Sequence, residues 1–156
     1  MYRVVIIDDE QIIVEGLRRV VDWAAYGCQV VADAGDARSG AQCIREWKPD
    51  ILFTDIKMPG EDGLTMLAGL KAEFSRMQVT VLTGYRDFDY AQRALHLGVS
   101  RFLLKPSHME ELEEAILYMT GQLEGQGAGE EPANASANSY LVRQARHFWL
   151  RTMPAI

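Results

Sequence analysis

The sequence lacks most of what would mark a metal-thiolate, disulfide-stapled, membrane-embedded or nucleic-acid-coating protein. Only two of its 156 residues are cysteine, Cys28 and Cys43, at no metal-ligand spacing. They are expected as small buried hydrophobes in a reducing cytosol, with a functional disulfide as the lesser reading. No apolar run approaches the roughly 18 residues of a membrane span. The apolar stretch at residues 4–7 turns acidic too soon for a signal peptide, so a cytoplasmic chain without membrane contact is expected. An excess of basic charge is missing as well. Sixteen Lys and Arg against 22 Asp and Glu leave a net charge of −6, which argues against nucleic-acid contact by this chain itself. The three histidines, His96, His108 and His147, lack metal-ligand spacing and a phosphotransfer context, and read as surface or packing residues.

What is present is a repeated alternation of short apolar runs and amphipathic segments, sustained to about residue 120. Strands are expected at residues 4–7, 29–34, 50–54, 78–83 and 101–104. Their Val, Ile and Leu run on without polar alternation, as in parallel strands covered on both faces. Helical stripes fill the gaps: Ile12, Ile13, Gly16, Leu17 and Val20; Ala41, Ile44 and Trp47; Leu64, Leu67, Leu70 and Phe74; Ala91, Ala94, Leu95 and Leu97; Leu112, Ile116 and Met119. Ser107 is the expected N-cap of the last helix, with Glu110 and Glu111 in its first turn to suit the helix dipole. Strand-helix repeated five times implies an open, doubly wound α/β sheet.

The composition changes after Leu123, which divides the chain into a domain at 1–124, a flexible linker at 125–138 and a short amphipathic connector at 139–156. The linker is rich in Gly, Ala and Asn, with no core-forming residue. The connector sets Leu141, Ala145, Phe148 and Trp149 on one helical face. It carries Arg143, Arg146 and Arg151 with no acid, whereas residues 1–124 hold thirteen basic and twenty acidic residues. Phe148 and Trp149 read as connector packing rather than as a ligand site, and a segment this short does not fold alone.

Polar residues interrupt the apolar runs at telling places. Asp8 and Asp9 end the first strand, Asp55 the third, Thr83 the fourth and Lys105 the fifth. In open α/β sheets the crevice lies at the carboxyl ends of the strands, and in the order 2-1-3-4-5 strands one and three flank the switch point. Three carboxylates, a hydroxyl and an ammonium would then share one crevice. Clustered carboxylates repel and call for a cation, and oxygen-only donors favour a hard ion such as Mg²⁺. Mg²⁺ would neutralise charge on a transferring phosphoryl group. A carboxylate oxygen of Asp55 could then attack phosphorus to give an acyl phosphate, held by Lys105 and the Thr83 hydroxyl.

Taken in order, Ile7-Asp8-Asp9-Glu10, Thr54-Asp55-Ile56-Lys57-Met58-Pro59-Gly60, Asp62-Gly63, Leu82-Thr83-Gly84 and Leu103-Leu104-Lys105-Pro106 resemble the response-regulator receiver family over residues 2 to about 121. The resemblance implies a flavodoxin-like (βα)5 fold and a phosphoacceptor switch, catalysing only its own phosphorylation and dephosphorylation. It implies Asp55 as phosphoacceptor and direct Mg²⁺ ligation by Asp9, Asp55 and the Lys57 backbone carbonyl, with Asp8 acting chiefly through a water on the metal. Thr83 becomes the switch residue. Phe102 stands where receivers often carry Tyr, so ring packing is retained and the hydroxyl is lost. A cis peptide before Pro106 would help aim Lys105. The resemblance further implies a sensor histidine kinase as phosphoryl donor and a homodimer through the helix 4, strand 5, helix 5 face. Lys57 and Tyr85 are expected to flank the crevice and to tune the access of water.

Gly84-Tyr85-Arg86-Asp87-Phe88-Asp89-Tyr90-Ala91 and Trp23-Ala24-Ala25-Tyr26-Gly27 are similar to regulators of the YesN type, in which the receiver precedes an AraC-type DNA-binding domain. The tail is accordingly read as the start of a connector toward an effector domain absent from this chain, with transcription as the output. Two other classes compete with this reading. A pseudo-receiver acting as a phosphate-independent interaction module would be expected to lose acidic-pocket residues or the Lys, and all are kept. A hydrolase or phosphatase with paired acids commonly shows Asp-x-Asp after its first strand, which Asp8-Asp9 does not.

Overall fold

The computed structural model describes residues 1–127. Five strands, β1 (Tyr2–Ile7), β2 (Cys28–Ala34), β3 (Ile51–Thr54), β4 (Gln78–Thr83) and β5 (Arg101–Leu104), form one parallel sheet in the order β2-β1-β3-β4-β5. Between and after them lie α1 (Gln11–Val20), a 3-10 turn (Trp23–Tyr26), α2 (Ala37–Trp47), α3 (Gly63–Leu70), α4 (Phe88–His96) and α5 (Met109–Gly127). The central strands β1, β3 and β4 are buried on both sides, as their uninterrupted apolar runs imply, whereas the edge strands β2 and β5 are only partly covered. Val5, Ile7, Leu52, Val79 and Val81 pack with α2, α3 and α4, whereas Val4, Ile6, Ile51, Phe53 and Leu103 pack with α1 and α5. Alternate residues of one strand thus feed opposite layers.

Two helices bury only part of the stripe read in the sequence, keeping Ile13 and Leu17 of α1 and Ala41 and Ile44 of α2 against the core. On α1 the sheet receives Val14, Leu17 and then Val21, while Ile12 and Val20 are 76% and 61% exposed. On α2 it receives Ala37, Gly40 and Ile44, and Trp47 is left on the rim. Both buried sets are spaced i, i+3, i+7, the seam a flat sheet can accept. A β-carbon at Gly40 would press into the Ile7 side chain, so glycine permits the close approach of α2 to β1. Trp23 seals the opposite layer, its ring edge-on to Phe53 at 5.6 Å and its indole N–H donating to the Leu17 carbonyl at 3.0 Å.

The entry to α5 also differs. Ser107 lies ahead of the cap position, and its hydroxyl donates to the Leu104 carbonyl at 2.8 Å. The amides of Glu111 and Leu112 instead bond to the carbonyl of His108. Helix α5 runs on to Gly127, so residues 125–127 are helical rather than linker. The remainder of the expected linker and the connector at 139–156 lie outside the described residues. Among the described residues no helix is long and apolar enough to cross a membrane. Both cysteines are free; Cys28 is buried and Cys43 half-buried.

Candidate functional site

The ladders of the sheet continue one residue past the strand ends, which fixes the backbone of the site. The amide of Asp8 donates to the Ala34 carbonyl at 2.9 Å, that of Asp55 to Ile7 at 2.9 Å, and that of Lys105 to Thr83 at 2.8 Å. Side chains following β1, β3 and β5 are thereby brought to one edge of the sheet, around the point where the strand order reverses. Lys105 lies at their centre. Its Nζ is 2.7 Å from Asp8 Oδ2, 2.9 Å from Asp55 Oδ2 and 3.7 Å from Glu10 Oε1. The peptide between Lys105 and Pro106 is cis, as the family likeness implied.

The other carboxylate oxygens are held by backbone. Asp8 Oδ1 accepts from the amide of Glu10 at 2.9 Å, and Asp55 Oδ1 from that of Ile56 at 2.7 Å. Both aspartates are about 3% exposed, so each needs its charge answered inside the protein. Burial pushes the Asp8 carboxyl above the usual range, and the bond from Lys105 opposes it. For Lys105, burial pulls downward, but hydrogen bonds and charge from Asp8 and Asp55 lift the ammonium above its ordinary value. The pair favours proton retention on the lysine.

Asp9 is exposed beside this buried pair. One carboxylate oxygen each from Asp8, Asp9, Glu10 and Asp55 lies within 4.8 Å of the others. A set of four hard oxygen donors with no nitrogen or sulfur suits Mg²⁺ better than zinc or copper. The sequence alone gives Glu10 no role. Its signal was the unbroken acidic run Asp8-Asp9-Glu10, which turns into α1 and points its third member back toward the crevice.

Thr83 is wholly buried at the end of β4, and its Oγ1 accepts from the amide of Tyr85 at 3.3 Å. Phe102 is half-buried against the layer formed by α2, α3 and α4. Lys57 and Tyr85 meet across the mouth, the Lys57 Nζ standing 4.4 Å from the centre of the Tyr85 ring. Below them, Asp62 caps α3 by accepting from the amide of Thr65 at 2.7 Å. Arg93 of α4 reaches both ends of that cap, Asp62 at 3.4 Å and the Thr65 hydroxyl at 3.1 Å. Of the residues proposed from sequence, Asp8, Asp9, Asp55 and Lys105 are brought together directly, with Thr83 at the end of the neighbouring strand.

Comparison with known proteins shows the family and the fold. The family described as "Response regulator receiver domain" matches residues 4–117. This chain belongs to the response-regulator receiver family. The receiver is 32% identical over 126 residues to the transcriptional regulatory protein YesN of Bacillus subtilis, covering 81% of this chain and 34% of that protein. It is 34% identical over 113 residues to the transcriptional regulatory protein HptR of Staphylococcus aureus, covering 72% of this chain and 44% of that one. The chain thus spans less than half the length of these curated relatives. Among solved structures, the receiver domain of AraT, a response regulator from Geobacillus stearothermophilus, superposes with a TM-score of 0.77 at 36% identity, covering 81% of this chain and 98% of that one. A CheY-like receiver protein from Methanospirillum hungatei, at 23% identity and a TM-score of 0.73, shares the fold.

Proposed function

We propose that this receiver is a phosphorylation switch in which Asp55 accepts a phosphoryl group from the phosphohistidine of a sensor kinase. The observation that carries the reading is the ammonium of Lys105 held between Asp8 and Asp55, with the Thr83 hydroxyl on the adjacent strand end. A free oxygen lone pair of the Asp55 carboxylate forms the new P–O bond. The donor's P–N bond breaks, and its imidazole nitrogen leaves with the electron pair. Asp8, Asp9, Glu10 and Asp55, with the Lys57 backbone carbonyl, are the groups that would hold Mg²⁺. Mg²⁺, when bound, supplies positive charge to the transferring phosphoryl oxygens. Lys105 supplies a second positive charge from the protein itself, and the amide of Ile56 keeps the Asp55 carboxylate oriented.

The output follows from which resting bonds the phosphoryl group competes with. Thr83 gives up the Tyr85 amide and turns its hydroxyl toward the phosphoryl oxygens; the loop around Gly84 follows, and the Phe102 ring repacks. The surface of α4, β5 and α5 changes with it and favours a homodimer. In a longer cytoplasmic protein this would drive transcription through an AraC-type DNA-binding domain, in keeping with relatives named as transcriptional regulators.

Incubation of the whole chain with acetyl phosphate and Mg²⁺, followed by intact-mass measurement, tests the chemistry. One phosphoryl adduct that disappears in Asp55→Asn is expected. No adduct, or one that persists in the variant, overturns the assignment.

A further inference from the structure

Arg101 opens β5 as the largest of the fully buried side chains, with none of its surface in contact with solvent. Its Nε and Nη2 fork onto the two oxygens of Glu114 at 3.0 and 2.7 Å, and Nη1 donates to the Ser100 carbonyl at 2.8 Å. The guanidinium carbon lies 3.6 Å from the centre of the Tyr118 ring. Glu114 and Tyr118 stand one turn apart on α5, so a single planar group fixes the helix at two successive levels. In the adjoining strand the Thr80 side chain, paired in register with Arg101, reaches Met119 Sδ at 3.3 Å.

Burying a guanidinium is costly, and apolar side chains of similar volume often fill a core as well or better. An apolar residue, however, cannot set the rotation of a helix by directed bonds. The strand that begins at Arg101 ends against Lys105, about 13 Å away at the usual strand rise. One short rod therefore carries an ammonium in the acidic crevice at one end and a guanidinium locked to α5 at the other.

We propose that Arg101 is a positioning residue that couples the crevice to α5. A displacement of Lys105 on phosphorylation moves β5, and Arg101 passes that movement through Glu114 and Tyr118 to α5. This rests on Asp55 being phosphorylated as described above.

Amide hydrogen exchange on the whole chain, before and after acetyl phosphate with Mg²⁺ and with adduct occupancy measured by intact mass, tests the coupling. In the unmodified chain, exchange changes in peptides spanning residues 114–119 of α5 as well as in the loops after β3 and β4. In Arg101→Met, and in the milder Glu114→Gln and Tyr118→Leu, occupancy and the loop response persist while the α5 response falls by about threefold or more. If the adduct forms and the loops respond but α5 does not, or α5 responds equally in folded variants, the coupling is overturned alone. Absence of any adduct overturns the Asp55 reading and the coupling with it.

Discussion

Gly63 packs so tightly against the backbone carbonyl of Asp55 that a β-carbon on it would overlap the oxygen. The same carbonyl accepts from the Thr54 hydroxyl at 2.9 Å, and the Gly63 amide donates to Ile56 at 2.7 Å. The first turn of α3 is thus seated directly on the main chain that carries Asp55, the proposed phosphoacceptor. Gly63→Ala should cost about 1–3 kcal/mol by forcing these two segments apart. It should also slow adduct formation with acetyl phosphate. Urea midpoints and intact-mass time courses check both; unchanged stability would mean that the turn yields freely.

Replacing Lys105 should move two measurements in opposite directions. Lys105→Gln leaves Asp8 and Asp55 facing each other without the ammonium, so calorimetry should show Mg²⁺ binding severalfold more tightly. The phosphoryl group would lose a charge partner, and adduct formation should fall by roughly a hundredfold, as when one preorganised donor is removed. A parallel loss of both would place Lys105 in fold maintenance instead.

Acid should reveal the α3 cap. Burial pushes the Asp62 carboxyl up, but the Thr65 amide and hydroxyl together with Arg93 bring it below its ordinary range. A carboxyl with a lowered folded value stabilises the protein above its unfolded value, about 3.9, and that contribution is lost as pH falls through the folded value. Asp62→Ala should therefore cost about 1 kcal/mol near neutrality. The gap from the unmodified chain should close below about pH 4, as followed by urea titrations at several pH values.

At the alkaline end Cys28 supplies the opposite sign. Burial, aided by the charge of Asp50, raises its thiol from an ordinary value near 9 to about 11. A raised folded value gives stability that is complete below the unfolded value and lost as pH climbs between the two. Between pH 9 and 11 the unmodified chain should lose stability more steeply than Cys28→Ala. At neutral pH, half-buried Cys43 should be alkylated well before Cys28, readable by peptide mass.

The central strands were legible because burial on both faces writes a continuous apolar run, and the convergence of Asp8, Asp55, Thr83 and Lys105 because the runs of β1, β3, β4 and β5 each end on a polar group. The helix faces at α1 and α2 were legible only in part. A helical stripe leaves its exact azimuth open, and Ile12, Val20 and Trp47, near helix ends, are turned to solvent. Arg101 was invisible for a different reason. A charge at the first position of a strand reads as a solvated end, and only Glu114 and Tyr118, brought over by α5, make its burial possible. Glu10 was similarly hidden, since an exposed acid at a helix start is ordinary until the turn folds it toward Lys105. The end of α5 at Gly127 was hidden because glycine at 125 and 127 signals a break that the helix overrides.

One ammonium answering to two carboxylates has a consequence for genetics. Asp8, Asp55 and Lys105 share a single charge balance, so no allele at any of the three is a clean deletion of one role. Asp55→Asn withdraws the proposed target of transfer and also releases one of the charged holds on the lysine, which can then swing toward Asp8. Its phenotype is that of a rearranged crevice, and only a comparison with Asp8→Asn, in which the lysine swings the other way, separates the unphosphorylated state from the displaced lysine.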